Sequence, residues 1–446
     1  MKKRIVTFVA FLLLFVPIFA QKSNESYDTT GGAETFKFKY KKGDSYRILS
    51  TVEEDVFVNM RYNHHGQIIN RVSAKITDTG KDESGLAVGT HDCTFMTTEN
   101  GSKAVDGKTF SWGEEYKSIF DRNALGVYSI GDEYFMPTVR DVPIFPDHPI
   151  KAGDTWTADG HEAHDMRQNF GIQKPYKVPF SAVYTYLGTV GKEKHEVRQM
   201  SYAAAAISKQ RNNQVIKSEG SVLHVFHVKY SLYTQAPVTP SSYYTEDSPQ
   251  TTMGFSDEYI YWDNEKGAID HYTEDFNIII ETAYGNIYQF KGTAHAEVTD
   301  FLRTGTDDEL KAVQEQVKNL GLENVTVKKG EKGLTLSIEN IQFQAESALL
   351  LESEKKKLEV IAQILEAYPD NDILVSGHTA TGRGLDPQML SEQRAASVAD
   401  YLMQLGVRDR YHIFTQGFGD KQPIAPNTTE AGKAKNRRVE ITIMDE

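Results

Sequence analysis

Two hydrophobic periods divide the chain. From residue 33 to about 300, apolar and polar positions alternate in twos: Phe36-Lys37-Phe38-Lys39-Tyr40 does so, and Val222 to Leu232 puts Val222, His224 and Phe226 on one face and Leu223, Val225 and His227 on the other. Period-two alternation is the mark of a strand, and apolar residues on both faces point to a strand covered on both sides. Tyr46 to Met60, Ile68 to Ile76, Leu86 to Met96, Ser181 to Leu187, Glu196 to Ala203, Glu258 to Trp262, Phe276 to Thr282 and Asn286 to Val298 read the same way, with Tyr284-Gly285-Asn286 as the turn of the last pair. The region is predicted to be predominantly antiparallel β.

After residue 300 the period lengthens to that of a helix. Asp307 to Leu320 spaces Leu310, Val313, Val317 and Leu320 along one stripe, and Gly321 stops it. A hairpin from Val325-Thr326-Val327 to Leu334–Ile338 follows. Then come a helix from Glu352 to Tyr368, a strand Ile373 to Ser376, a helix Pro387 to Leu405, a strand His412 to Gln416 and a last strand Val439 to Met444. This βαβαβ order predicts an α/β unit whose helices cover one face of a mixed sheet. The expected division is 1–20 as a leader, 33–300 as a β-rich domain, 301–333 as a connecting helix and hairpin, and 334–446 as the α/β domain. The prolines 137, 143, 146 and 149 suggest a split of the β region near 145. Lys42-Gly43-Asp44-Ser45-Tyr46 is echoed by Ala152-Gly153-Asp154-Thr155-Trp156, each a G-D turn feeding a strand. Pro237 to Gln250 reads as a long surface loop.

Composition narrows the function classes. The 446 residues are 39% hydrophobic and 25% charged, with a formal net charge of −13, a balance that disfavours nucleic acid or an anionic membrane surface as main partner. Lys2-Lys3-Arg4, an apolar run from Ile5 to Phe19 and Ala20 compose a cleavable signal peptide. The run is shorter than the roughly 20 residues of a membrane-spanning helix, and no other segment is apolar enough, so the mature chain is expected to be exported without a transmembrane helix. The only cysteine, Cys93, leaves no intramolecular disulfide. His161-Glu162-Ala163-His164-Asp165 gathers metal-ligand types, but its histidines are one residue short of the H-E-x-x-H spacing, so a solvated loop is the expectation there. No phosphate loop, nucleophile elbow or cysteine nucleophile appears; no catalytic residue, metal or cofactor is assigned, and the chain is read as non-catalytic.

The candidate chemistry lies between Val375 and Arg394. An apolar strand stops at Gly377, a loop rich in glycine and threonine follows, and Asp386-Pro387 opens a helix in which Arg394 is two turns along, able to reach back to the loop. Loop N–H groups and a guanidinium suit a ligand carboxylate; a surface pair with Glu392 is the competing role for Arg394. Residues 334–443 resemble the OmpA-like peptidoglycan-associated domain, through I-x-F-x-x-x-S-A at Ile341 to Ala348, Gly377-His378-Thr379, L-S-x-x-R-A at Leu390 to Ala395, Gly406-Val407 and N-R-R-V-E-I at Asn436 to Ile441. The resemblance implies a pocket for the diamino acid of a peptidoglycan stem peptide, with Arg394 on its carboxylate, Arg437 or Arg438 assisting and Thr379 shaping the loop. The family's ammonium-binding aspartate falls on Ala380, and its usual asparagine falls on Pro387. The pocket is therefore expected to bind peptidoglycan weakly or with altered selectivity, in the periplasm or at the outer membrane, beside other envelope proteins. The alternative is an envelope scaffold that no longer binds wall material.

Overall fold

The computed structural model of the protein describes residues 26–99, 109–131, 134, 141–164, 176–192, 222–235, 247–300, 307–330, 332–344, 347–369, 371–381 and 386–445. Residues 1–20, read as a leader, and the segment Glu196 to Ala203 lie outside these, as does most of the loop expected after Pro237.

Eleven strands make one antiparallel sheet. They are β1 (Ser45–Val58), β2 (Arg61–Lys81), β3 (Ala87–Glu99), β5 (Glu114–Asn123), β6 (Tyr128–Ile130), β7 (Thr155–His164), β8 (Tyr176–Gly191), β9 (Val222–Gln235), β10 (Pro249–Asp263), β11 (Ala268–Thr282) and β12 (Ile287–Asp300). Their order is β6-β5-β3-β2-β1-β12-β11-β10-β9-β8-β7, so β6 and β7 are its two edges. The strands on either side of residue 145 thus belong to one sheet. Residues 141–150 lead from one edge towards the other, burying Val142, Phe145 and Ile150 in an aromatic core with Tyr184, Phe226 and Trp262.

The two G-D turns are equivalent in three dimensions. Gly43 and Gly153 take left-handed φ of 98° and 93°, which glycine adopts without steric cost. Gly43 N donates to Ile76 O at 2.8 Å and Gly153 N to Tyr186 O at 2.7 Å; in return, the amides of Ile76 and Tyr186 donate to Asp44 O and Asp154 O. Both long partner strands then change register just afterwards, at Ile76/Asp78 and Tyr186/Gly188. The sequence echo marks a repeated strand-pair geometry rather than five coincident letters.

Two expectations need correction. Phe36 to Tyr40 forms no ladder: Phe36 and Phe38 are buried in the aromatic core, while the backbone bonds to the loop residues Ala124 and Gly267. An extended segment lying across a sheet alternates buried and exposed residues just as a strand does. His161 to His164 is part of β7, held by pairing with β8 rather than left as a loop. Glu162 is buried and accepts from the Tyr230 hydroxyl, while His161 is exposed.

A second sheet follows β13 (Val325–Gly330), β14 (Gly333–Glu339), β15 (Ile373–Gly377), β16 (Ile413–Gly417) and β17 (Arg438–Met444), in the order β13-β14-β17-β15-β16-β4. Its edge strand β4 (Phe110–Ser111) comes from the first region and runs parallel to β16, which runs parallel to β15. Helices α1 (Asp307–Asn319), α2 (Glu352–Leu365) and α3 (Pro387–Gln404) send Val313, Leu358, Ile361, Val398 and Leu402 against Leu336, Ile373, Val375 and Ile441. A short helix α4 (Glu430–Asn436) precedes β17. The helix and hairpin read as a connector are built into this unit, since β13 is its edge and Val313 and Val317 lie in its core.

Helix α3 approaches β15 too closely for a side chain between them. A Cβ added at Gly377 would stand 2.1 Å from the carbonyl oxygen of Ser391, a backbone atom that cannot move alone. Gly377→Ala is therefore expected to destabilise the protein by about 1–3 kcal/mol, the usual scale of overpacking. Urea unfolding followed by helical ellipticity reads this, and an unchanged midpoint contradicts the close contact.

Candidate anion-binding corner

Strand β15 is buried at every residue and delivers Gly377-His378-Thr379 to the end of the sheet. Three glycines let α3 sit over this point. Besides Gly377, a Cβ at Gly417 would stand 2.7 Å from Ser391 Oγ, and Gly419 takes a left-handed φ of 55°. Ser391 is fully buried; its hydroxyl donates to Gln388 O at 2.7 Å and accepts from Gly419 N at 2.9 Å. The amide of His378 donates to Arg438 O and that of Thr379 to Gly419 O. The corner is thus fixed from both neighbouring strands.

Helix α3 opens as its sequence requires. Asp386 accepts from Gln388 N at 2.9 Å, and Pro387 occupies the first turn, where its missing N–H costs nothing. Arg394 does not pair with Glu392, whose carboxylate accepts from Gln388 Nε2 instead. Its guanidinium carbon lies 4.8 Å from the centroid of the Phe343 ring, and its Nε points to Ser347 O at 3.5 Å. Arg437, at the end of α4, is half-buried. Burial first, and then the charge of Arg437, lower the pKa of Arg394. Two guanidinium groups therefore feel each other here, and among the described residues no carboxylate lies within ion-pair distance of either.

Arg438 has a different task. It is 2% exposed, its Nε donates to Glu440 Oε1 at 2.9 Å and its Nη1 to Gln422 O at 3.1 Å. Burial would raise the Glu440 pKa, yet its contacts with His378, Lys328 and Arg438 hold it well below the usual carboxylate range. Thr379 is 6% exposed and its hydroxyl has no hydrogen-bond partner among the described residues. His378 stacks on Phe418 with ring centroids 5.1 Å apart, and burial keeps its pKa low, so it is neutral near pH 7. Ala380 is half-buried and brings a methyl group where a charged residue would bring an acceptor.

Sequence reasoning missed Asn436, which is fully buried. Its Oδ1 accepts from the amides of Ile424 and Ala425, and its Nδ2 donates to Ala425 O and Asn427 Oδ1, while Asn427 donates to Thr381. It ties the loop before α4 to the loop after β15. The described residues contain no group of three His, Cys, Asp or Glu placed to hold a metal ion, and no described helix is long and apolar enough to cross a membrane.

Residues 342–437, which hold this corner, match the model of the OmpA family and form an OmpA family domain. No family model matches the region before it. Over 105 residues the chain is 46% identical to the probable lipoprotein YiaD of Escherichia coli, a stretch that is 23% of this chain and 48% of that protein. Over 104 residues it is 43% identical to the peptidoglycan-binding protein ArfA of Mycobacterium tuberculosis, 23% of this chain and 32% of that one. A solved outer membrane protein from Borrelia burgdorferi is 39% identical, covering 27% of this chain and 97% of the other with a TM-score of 0.23. The chain spans about half the length of the first of these relatives and about a third of the second.

The two adjacent arginines are expected to separate under mutation. Arg438→Ala leaves the largely buried Glu440 with less compensation and costs about 3 kcal/mol, whereas Arg437→Ala stays within about 0.5 kcal/mol. Thermal unfolding checks this; equal losses contradict the division of roles.

Proposed function

We propose that the protein is a non-catalytic, exported envelope protein in which a β-rich N-terminal domain is joined to an OmpA domain that contacts peptidoglycan. One observation carries this: Arg394 and Arg437 bring two permanent cations to one half-buried corner with no described carboxylate within ion-pair distance of either. An anionic group from outside the chain would relieve that repulsion through charge-assisted hydrogen bonds. The carboxylate of a stem peptide supplies such a group, and relatives named as peptidoglycan-binding proteins support this choice.

Ala380 sets the character of the contact. A methyl group cannot hold the ammonium of a diamino acid, so the pocket keeps the anionic half of the recognition and binds weakly or with altered selectivity. The periplasm, or the periplasmic side of the outer membrane, is where such a chain meets its ligand. The rival role is an envelope scaffold whose corner no longer takes wall material.

A pull-down with purified peptidoglycan distinguishes the two. The native protein is expected to be retained, Arg394→Ala to lose at least about tenfold, which is the weight of one charge-assisted contact of about 1.4 kcal/mol or more, and Ala380→Asp to gain on a wall that carries a free ammonium. No retention of the native protein contradicts the proposal.

A further inference from the structure

The second sheet has two faces, and helices cover only one. Ile373, Val375, Ile413, Ile441 and Ile443 point into the helical core. Alternation along the same strands sends Leu374, Phe414 and Met444 the other way, where all three are buried at 3% exposure or less. What buries them is the first sheet: Leu49 of β1, Ile69 of β2 and Met96 of β3 form one cluster with them, joined by Phe110 of β4. Apolar residues on the uncovered face of an α/β sheet require such a cover.

A buried carboxylate sits at the rim of this contact. Asp372, immediately before β15, has no exposure, and Arg47 Nη1 from β1 reaches its Oδ1 at 2.9 Å while Arg71 Nε from β2 reaches its Oδ2 at 2.7 Å. His412, before β16, adds a third contact at 2.9 Å. Both arginines are themselves buried, at 3% and 6%. Further along, Arg410 donates to Gln67 Oε1 at 2.7 Å, and Lys332 meets Glu115 and the Trp112 ring. Asp372 is at the start of β15 and Gly377 is at its end, so the clamp and the proposed ligand corner use different residues.

We propose that Asp372 is a docking point at which the OmpA domain clamps the first sheet through Arg47 and Arg71, so that the two sheets fold, and respond to whatever occupies the Arg394 corner, as one cooperative body. Neither partner of a buried charge cluster can leave without stranding the others in an apolar contact. The clamp itself does not depend on wall binding, and only the response to a ligand at the corner rests on the proposed function. A ligand at the corner would stabilise both sheets by mass action, and a pull on the corner would reach the first sheet through packed side chains rather than through a linker.

The tryptophans provide the test. Trp112, Trp156 and Trp262 all precede residue 300, whereas α1 to α4 lie between Asp307 and Asn436. Trp112 packs on Phe414 of the second unit, so the unfolding is followed in a full chain carrying Trp112→Phe, where emission from Trp156 and Trp262 reports the aromatic core of the first sheet and helical ellipticity reports α1 to α4. This parent chain is expected to show coincident transitions by both signals, and Asp372→Asn in it to show two separated midpoints. Should Asp372→Asn fail to fold, Arg71→Lys, which keeps the charge and loses the planar fork, is expected to separate them by a smaller interval. Separate transitions in the parent chain, or coincident ones in a folded variant, overturn the proposal.

Discussion

The contact between Ser391 and the glycines around it governs the candidate site. A helix can approach two parallel strands this closely only where the strands offer no side chain, and Gly377 and Gly417 are the residues that make room. Ser391 fills the space with a hydroxyl that satisfies one helical carbonyl and one loop amide. With the helix seated there, Arg394 falls one turn further on and meets Phe343, and the His378 amide is pinned to the residue after Arg437. The corner's charges are therefore placed by backbone contact, which leaves little freedom for the arginines to find other partners.

Electrostatics then divides the arginines by burial. Arg438 is paired with Glu440 and belongs to the fold; Arg394 and Arg437 are half-buried, the charge of Arg437 acts on Arg394, and the two form the proposed site. At the other end of β15 the same chemistry runs in reverse, where one buried carboxylate collects two arginines from a distant part of the chain. A single short strand thus has a cationic corner at its end and a neutralised charge cluster at its start. The first is the proposed ligand corner and the second faces the large sheet.

Much of the C-terminal unit was legible because its signals are local. Asp386-Pro387 announces a helix start, Gly377 a strand end, and the stripes of α1, α2 and α3 carry the helical period. The repeated G-D turn was visible for the same reason, though its meaning became clear only from matching hydrogen bonds to Ile76 and Tyr186. What escaped was non-local. No pattern within Phe110-Ser111 says that it pairs with β16, and nothing near Asp372 marks it as the partner of Arg47 and Arg71. Phe36 to Tyr40 misled because burial on one side produces alternation whether or not a ladder forms. Asn436, beside two arginines, looked like part of a basic edge, and only its four buried hydrogen bonds reveal it as the anchor of the corner's loop.

The claim at the centre is that the corner recognises negative charge. Calorimetric titration of the full-length protein with a soluble stem peptide, prepared once with its free carboxylate and once as the carboxamide, measures this directly. Binding of the carboxylate form with at least about tenfold higher affinity than the amide, a difference of about 1.4 kcal/mol or more, is the predicted result. Equal affinities for the two forms, or no binding of either, would contradict it.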